Sequence, residues 1–180
     1  DVPSTEWPIF GSVFYLMATE ALQDAWDGGH GRTRIFPKIY ARGAIEAAAE
    51  LVMDPVHHTW VKTHWGQDYM HKENVFLRSL LIAAATSYQR LTDDNRYEAL
   101  LRDQVESLSS ELDKSRFVVL DDYPEECYPV DVFAALGFIQ RADRLLGTDH
   151  GAFIQRQIRA FEGKMLDARG MIPYVVDSKT

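Results

Sequence analysis

Three helical segments of this sequence are apolar almost all the way round, and each is followed by an amphipathic one. Ile9-Phe10 with Val13-Phe14-Tyr15-Leu16-Met17 mark the first, Leu80-Leu81-Ile82-Ala83-Ala84-Ala85 the second and Val132-Phe133-Ala134-Ala135-Leu136 the third. A helix apolar on every side is expected to be buried on every side. The intervening segments carry one apolar stripe each. Ala41, Ile45, Ala48 and Val52 recur at helical spacing, with Lys38, Arg42, Glu46 and Glu50 forming a solvated face. Ile154, Ile158, Phe161 and Met165 form the last stripe.

Punctuation residues set the boundaries. The first helix is expected over about 7–27, with Ser4 or Thr5 as cap, Pro8 in its first turn and Gly28-Gly29 as stop. The second covers 37–53 and the third 70–91. The fourth follows Thr92-Asp93 and ends near Leu112, the fifth covers 129–146, and the sixth follows Thr148-Asp149 and ends near Asp167. The tail 168–180 reads as extended, because Ile172, Tyr174 and Val176 alternate.

Buried helices alternating with half-buried ones predict an all-α fold with an inner and an outer layer. The alternative is a compact helical bundle. A weak internal repeat favours the layered form: Thr92-Asp93, Tyr97 and Leu112-Asp113 are echoed by Thr148-Asp149, Phe153 and Leu166-Asp167. Residues 1–180 therefore read as one domain of three helical hairpins, an α/α toroid-type repeat and half of an (α/α)6 barrel. No apolar run reaches the roughly 18 residues of a membrane span, so the chain reads as soluble. The net charge of −8 argues against nucleic acid or anionic membrane surfaces as partners. The stretch begins without Met and shows no charged-then-apolar leader. Its compartment is left open.

The connections predict where chemistry lies. Those from outer to inner helices, at about 54–69 and 113–128, are too long to be plain connectors. In consecutive antiparallel hairpins they fall at one end, with the N-terminal segment and the tail. The first of these rim loops carries His57, His58, Trp60, His64, Trp65, Asp68 and Tyr69. His64, Asp68 and His71 are spaced four and three, as ligands on one helical face would be. Gly66 interrupts that turn and no further ligand is evident, so no metal is expected there. Trp60, His64, Trp65 and Asp68 are instead candidates to line a substrate pocket, or else cap the core. Glu73 and Asn74 open the third helix and join the candidate substrate-binding set.

The second rim loop holds Asp121, Asp122, Tyr123, Glu125, Glu126, Cys127 and Tyr128 within ten residues. Carboxylates whose environments push their pKa values apart serve as acid and base. Asp122 or Glu126 is the candidate acid or base, Tyr123 or Tyr128 a proton donor, and Cys127 a secondary site group. The bland reading is that these residues, with Asp131, cap the fifth helix and solvate a loop.

Over about residues 65–167, several stretches in order resemble the linalool dehydratase/isomerase family: Trp65-Gly66, Lys72-Glu73-Asn74, Arg96-Tyr97-Glu98-Ala99, Cys127, Gly147-Thr148-Asp149 and Leu166-Asp167. The resemblance implies an (α/α)6 toroid and cofactor-free proton transfer on a small acyclic terpene alcohol, with loss or addition of water. Cys127 matches one of the family's two cysteines. The other has no counterpart, and Leu80 stands where the family has a histidine. Chemistry on this chain would therefore fall to carboxylates and tyrosine. The expected function is a lyase, isomerase or hydratase acting on a small molecule without a cofactor. The alternatives are a carbohydrate-active enzyme or a non-catalytic interaction module. Three hairpins leave such a ring open, so a second half or a homo-oligomer would complete it.

Overall fold

The computed structural model of the chain describes residues 5–179. Among these residues the regular structure is helical, with eight α-helices: α1 (Trp7–Ala25), α2 (Pro37–Tyr40), α3 (Arg42–Met53), α4 (Thr59–Trp65), α5 (Val75–Thr92), α6 (Glu98–Lys114), α7 (Pro129–Leu146) and α8 (Gly151–Lys164). No strand forms among them. Two isolated bridges join Tyr123 to Glu126 and Cys127 to Val176, so of the tail expected to be extended, only Val176 pairs. No helix is long and apolar enough to cross a membrane.

The long helices pack in two layers. α5 lies between α1 and α7; α3 packs against α1 and α5, and α6 against α5 and α7. α8 continues the second layer, against α6 and α7. α5 is the shared wall of two apolar clusters. Val75, Ile82 and Ala85 face the cluster of α6, α7 and α8, while Leu77, Leu81, Ala84 and Tyr88 face that of α1, α3 and α4. Its all-round apolar sequence is explained by burial on all sides.

α1 corrects the expectation of burial on every side. It buries one stripe, Ile9, Val13, Leu16, Thr19, Glu20 and Gln23. Trp7, Phe14 and Leu22 stay 62%, 52% and 56% exposed. Beside α3 this open face forms a shallow groove floored by Gly11, Ser12, Ala44 and Ala47. Far from the rim loops, Glu20 is buried between Arg90 of α5, at 2.7 Å, and Arg141 of α7. One carboxylate thus ties the C-terminal halves of all three first-layer helices.

Several boundaries differ from expectation for local reasons. The expected second helix breaks at Ala41, where φ −93° and ψ 1° interrupt the spiral. α1 continues through a wide turn at Trp26–His30, which Gly29 ends with φ 80°. The expected loop at 54–69 contains α4, whose end is forced by Gly66 at φ 77°. The third helix begins at Val75 rather than near residue 70 because Asn74 is left-handed (φ 46°, ψ 51°), a conformation Asn tolerates better than most residues. The cap of α1 is Glu6, without a side-chain cap bond; Ser4 lies outside the described residues, as does Thr180 at the end of the tail.

Candidate functional site

The end of the fold where α1, α5 and α7 begin is built around the 121–128 turn. The turn closes on itself: the Asp122 N–H donates to the Glu126 carbonyl at 2.8 Å, and the Glu126 N–H to the Tyr123 carbonyl at 2.8 Å. Two carboxylates brace it from inside. Asp121 accepts the Glu125 N–H at 2.9 Å, and Asp122 accepts the Tyr128 N–H at 2.8 Å. The start of α5 is fastened to the same turn. The Glu73 carboxylate accepts the Asp121 N–H at 2.8 Å, and Asn74 donates from its amide to the Tyr69 carbonyl at 3.2 Å. The Trp65 indole N–H donates to the Asp122 carbonyl at 3.3 Å.

In front of this turn lies a cavity of about 310 Å³. α1 contributes Trp7 and Phe10, α5 contributes Phe76, and the turn contributes Tyr123 and Tyr128; Tyr174 arrives from the C-terminal segment. The rings support one another. Phe10 stacks on Phe76 with centroids 6.0 Å apart, and Tyr128 meets Tyr174 edge-on at 5.4 Å. Trp60 lies beneath, 6.0 Å from Phe76 and 6.1 Å from Tyr123. Two carboxylates, Glu6 at the start of α1 and Asp131 in the first turn of α7, complete the lining.

Burial sets the acid–base character of this region. It raises the Asp131 carboxyl to about 6. Asp122 is pushed up to about 8 by burial, despite the Tyr128 N–H, which favours its charged form. The Tyr123 phenol rises to about 12, first through burial and then through the negative charge of Glu6 and Asp122. Tyr128 donates its hydroxyl to Glu126 at 2.9 Å, and that bond raises its pKa.

The residues singled out in the sequence divide into three groups. Tyr123 and Tyr128 line the cavity. Asp122, Glu73, Asn74, Trp60 and Trp65 stand behind it as bracing, with His64 edge-on to the Tyr123 ring at 5.6 Å. Glu126, Cys127 and Asp68 are placed elsewhere, against expectation. Glu126 is exposed and holds the outer edge of Tyr128. Asp68 has an 82% exposed side chain beside Lys72. Cys127 is fully buried in the cluster of α6, α7 and α8. Its thiol is pushed up by burial and by Asp122 and Asp121. His71 pairs with Asp103 at 3.0 Å, away from His64. No group of three or more His, Cys, Asp or Glu among the described residues could hold a metal.

Cys127 therefore has a clear expected behaviour. Labelling of the native protein by an aromatic disulfide should be slower than in denaturant by about 10³-fold or more, because the thiol is reached only through unfolding. Rapid native labelling would show the cluster around it to be open.

Sequence reasoning missed Glu6, Trp7, Phe10, Phe76, Val130 and Tyr174 as lining residues, and read Asp131 only as a cap. The available signal was placement: the N-terminal segment and the tail fall at the same end as the rim loops. No protein-family model matches the chain, and no curated protein matches it.

Proposed function

We propose that the chain binds a small, partly apolar, hydroxyl-bearing molecule in the rim cavity and acts on it by cofactor-free acid–base chemistry of the lyase, isomerase or hydratase class. The observation that carries this reading is Asp131: a carboxyl poised near neutrality, in an aromatic cavity, beside phenols that stay protonated. The roles expected of the 121–128 turn move accordingly. Asp131 and Glu6 are the acid and base, Tyr123 is the donor that orients a hydroxyl, and Asp122 holds the turn. In a dehydration, the protonated carboxyl gives its proton to the leaving hydroxyl and the C–O bond breaks to release water. The second carboxylate takes a proton from the neighbouring carbon as the C=C bond forms.

The same proposal reads the fold as an arc of an α/α toroid. What supports it is the order of the layers, with α3 and α6 each spanning two first-layer helices. The open apolar face of α1 is where a further hairpin, from a second half or another copy, would pack. A carbohydrate-active enzyme is the second reading, favoured by aromatic walls combined with two carboxylates.

Saturation-transfer spectroscopy with acyclic terpene alcohols and with oligosaccharides separates the substrate classes. Asp131→Asn is expected to lower turnover by about 10²-fold or more, with little change for Glu126→Gln. Equal activity in both variants would remove Asp131 from the chemistry, and no binding of either class would remove the catalytic reading.

A further inference from the structure

Carboxylates with little exposure elsewhere in the fold have basic partners. Glu20 lies between Arg90 and Arg141, Asp121 is 3.4 Å from Lys179, Glu111 pairs with Arg78, and Asp143 is 2.7 Å from the His150 imidazole. The rim cavity breaks this pattern. Glu6 and Asp131 have no ion-pair or side-chain hydrogen-bond partner among the described residues, and the lining contains no Lys, Arg or His. The charge of Asp131 adds to the cost of ionising the neighbouring Asp122. The walls are six aromatic rings, whose faces carry negative potential. Among the described residues, the charged groups of the lining are both carboxyls and none is basic; the opposing field is the partial positive charge of the α1, α5 and α7 N-termini, which Glu6 and Asp131 offset at α1 and α7.

We propose that the rim cavity is a binding site for an organic cation, a quaternary or tertiary alkylammonium group on a short chain. The proposal rests on reading the cavity as the ligand site. An anion is repelled by both carboxylates. A neutral apolar ligand displaces water from them and supplies nothing in return. A primary ammonium or guanidinium can bond the two carboxylates, but its remaining strongly hydrated N–H groups would face ring surfaces without acceptors. A methylated ammonium has a diffuse charge and an apolar surface, which suits ring faces backed by carboxylates. About 310 Å³ accommodates such a head group with a few further carbons.

Choline and 3,3-dimethylbutan-1-ol have the same shape and differ only in the charged nitrogen. Titration calorimetry of the 180-residue chain with each probe separates charge from shape. Choline is expected to bind roughly 10- to 100-fold more tightly than the neutral isostere. Trp7→Ala should weaken both probes; Trp7 is largely exposed, so folding should survive its truncation. Asp131→Asn and Glu6→Gln should weaken choline selectively. Equal affinities, both lowered by Trp7→Ala, would overturn the cation assignment and leave the cavity as a ligand site. Choline binding unaffected by all three variants would place the cation elsewhere and overturn the proposal. Binding of neither probe would overturn both the cation assignment and the site itself.

Discussion

Replacing Arg78 with methionine is expected to remove about 3–5 kcal/mol of unfolding free energy, the cost of breaking a buried charge network from one side. Arg78 is fully buried in α5, yet every arm of its guanidinium is used. Nε donates to Gln104 at 3.1 Å, Nη2 to the Ser107 hydroxyl at 2.9 Å, and Nη1 to the Glu73 carbonyl at 3.2 Å and to Glu111 at 2.5 Å. Three of these partners lie on one face of α6. The fork thus clamps α6 to the start of α5, the segment that carries Glu73, Asn74 and Phe76. Burial lowers the Arg78 pKa, and Glu111 counters that effect. Methionine fills much of the volume but leaves Gln104 and the Glu73 carbonyl without their donor. Lysine cannot reproduce the fork and should lose most of the same energy. At about 2–4 °C per kcal/mol for a chain of this size, Tm should fall by roughly 10 °C. Urea unfolding with an unchanged slope is the direct measurement. A loss below about 1 kcal/mol would mean that the network contributes little to the folded state.

Above the range in which the paired carboxylates titrate, stability should carry a component that falls as pH rises. Asp122 is raised from 3.8 to about 8 by burial. Between those values the native state keeps a proton that the unfolded chain has released. Its contribution is therefore complete below about pH 4 and is lost as pH rises through about 8. Asp131, raised to about 6, acts with the same sign over the lower part of that window. The slope has a ceiling of about 1.4 kcal/mol per pH unit for each group. Asp122→Asn removes the larger part and should make the protein more stable than the parent at pH 8 by about 1–3 kcal/mol. Denaturant midpoints from pH 5 to pH 8.5 decide the matter. His58, lowered by burial, contributes with the opposite sign in the lower part of this range, so the decisive curve is the parent minus Asp122→Asn difference; a difference that stays flat would contradict a buried, protonated Asp122.

The helical elements were legible because their signals are local. Pro129 and Gly147 bracket α7, and Thr92 closes α5 where the sequence pattern ends. What escaped is what depends on tertiary context. The 3.6-residue pattern of α4 is too short, and too rich in Trp and His, to stand out from a loop. In α1, apolar residues on opposite faces look alike in sequence, although Ile9 is core and Trp7 is largely exposed. The rim cavity is harder still, since residues 6–10, 76, 123–131 and 174 share no spacing. Acidic density drew attention to Asp122 and Glu126, which brace and border the site. Asp131 passed as a cap because that is where a helix favours an acid in any case. The family resemblance rests on short stretches, and its Cys127 is sealed in a core cluster.

Tyr174 closes one side of the cavity, and its own segment is held to the turn by few contacts: the Val176 N–H donates to the Cys127 carbonyl at 2.9 Å, the Cys127 N–H to the Val176 carbonyl at 3.2 Å, and the exposed Lys179 ammonium lies 3.4 Å from Asp121. Such a short set of contacts stores little free energy, so the tyrosine wall is expected to be complete only for the fraction of time that they are closed. Whatever occupies the cavity is bound with an apparent affinity scaled by that fraction. By reciprocity, it draws the C-terminal segment down by the same factor. Sequence changes at 175–179, outside the cavity lining, are therefore expected to tune affinity through the closing equilibrium.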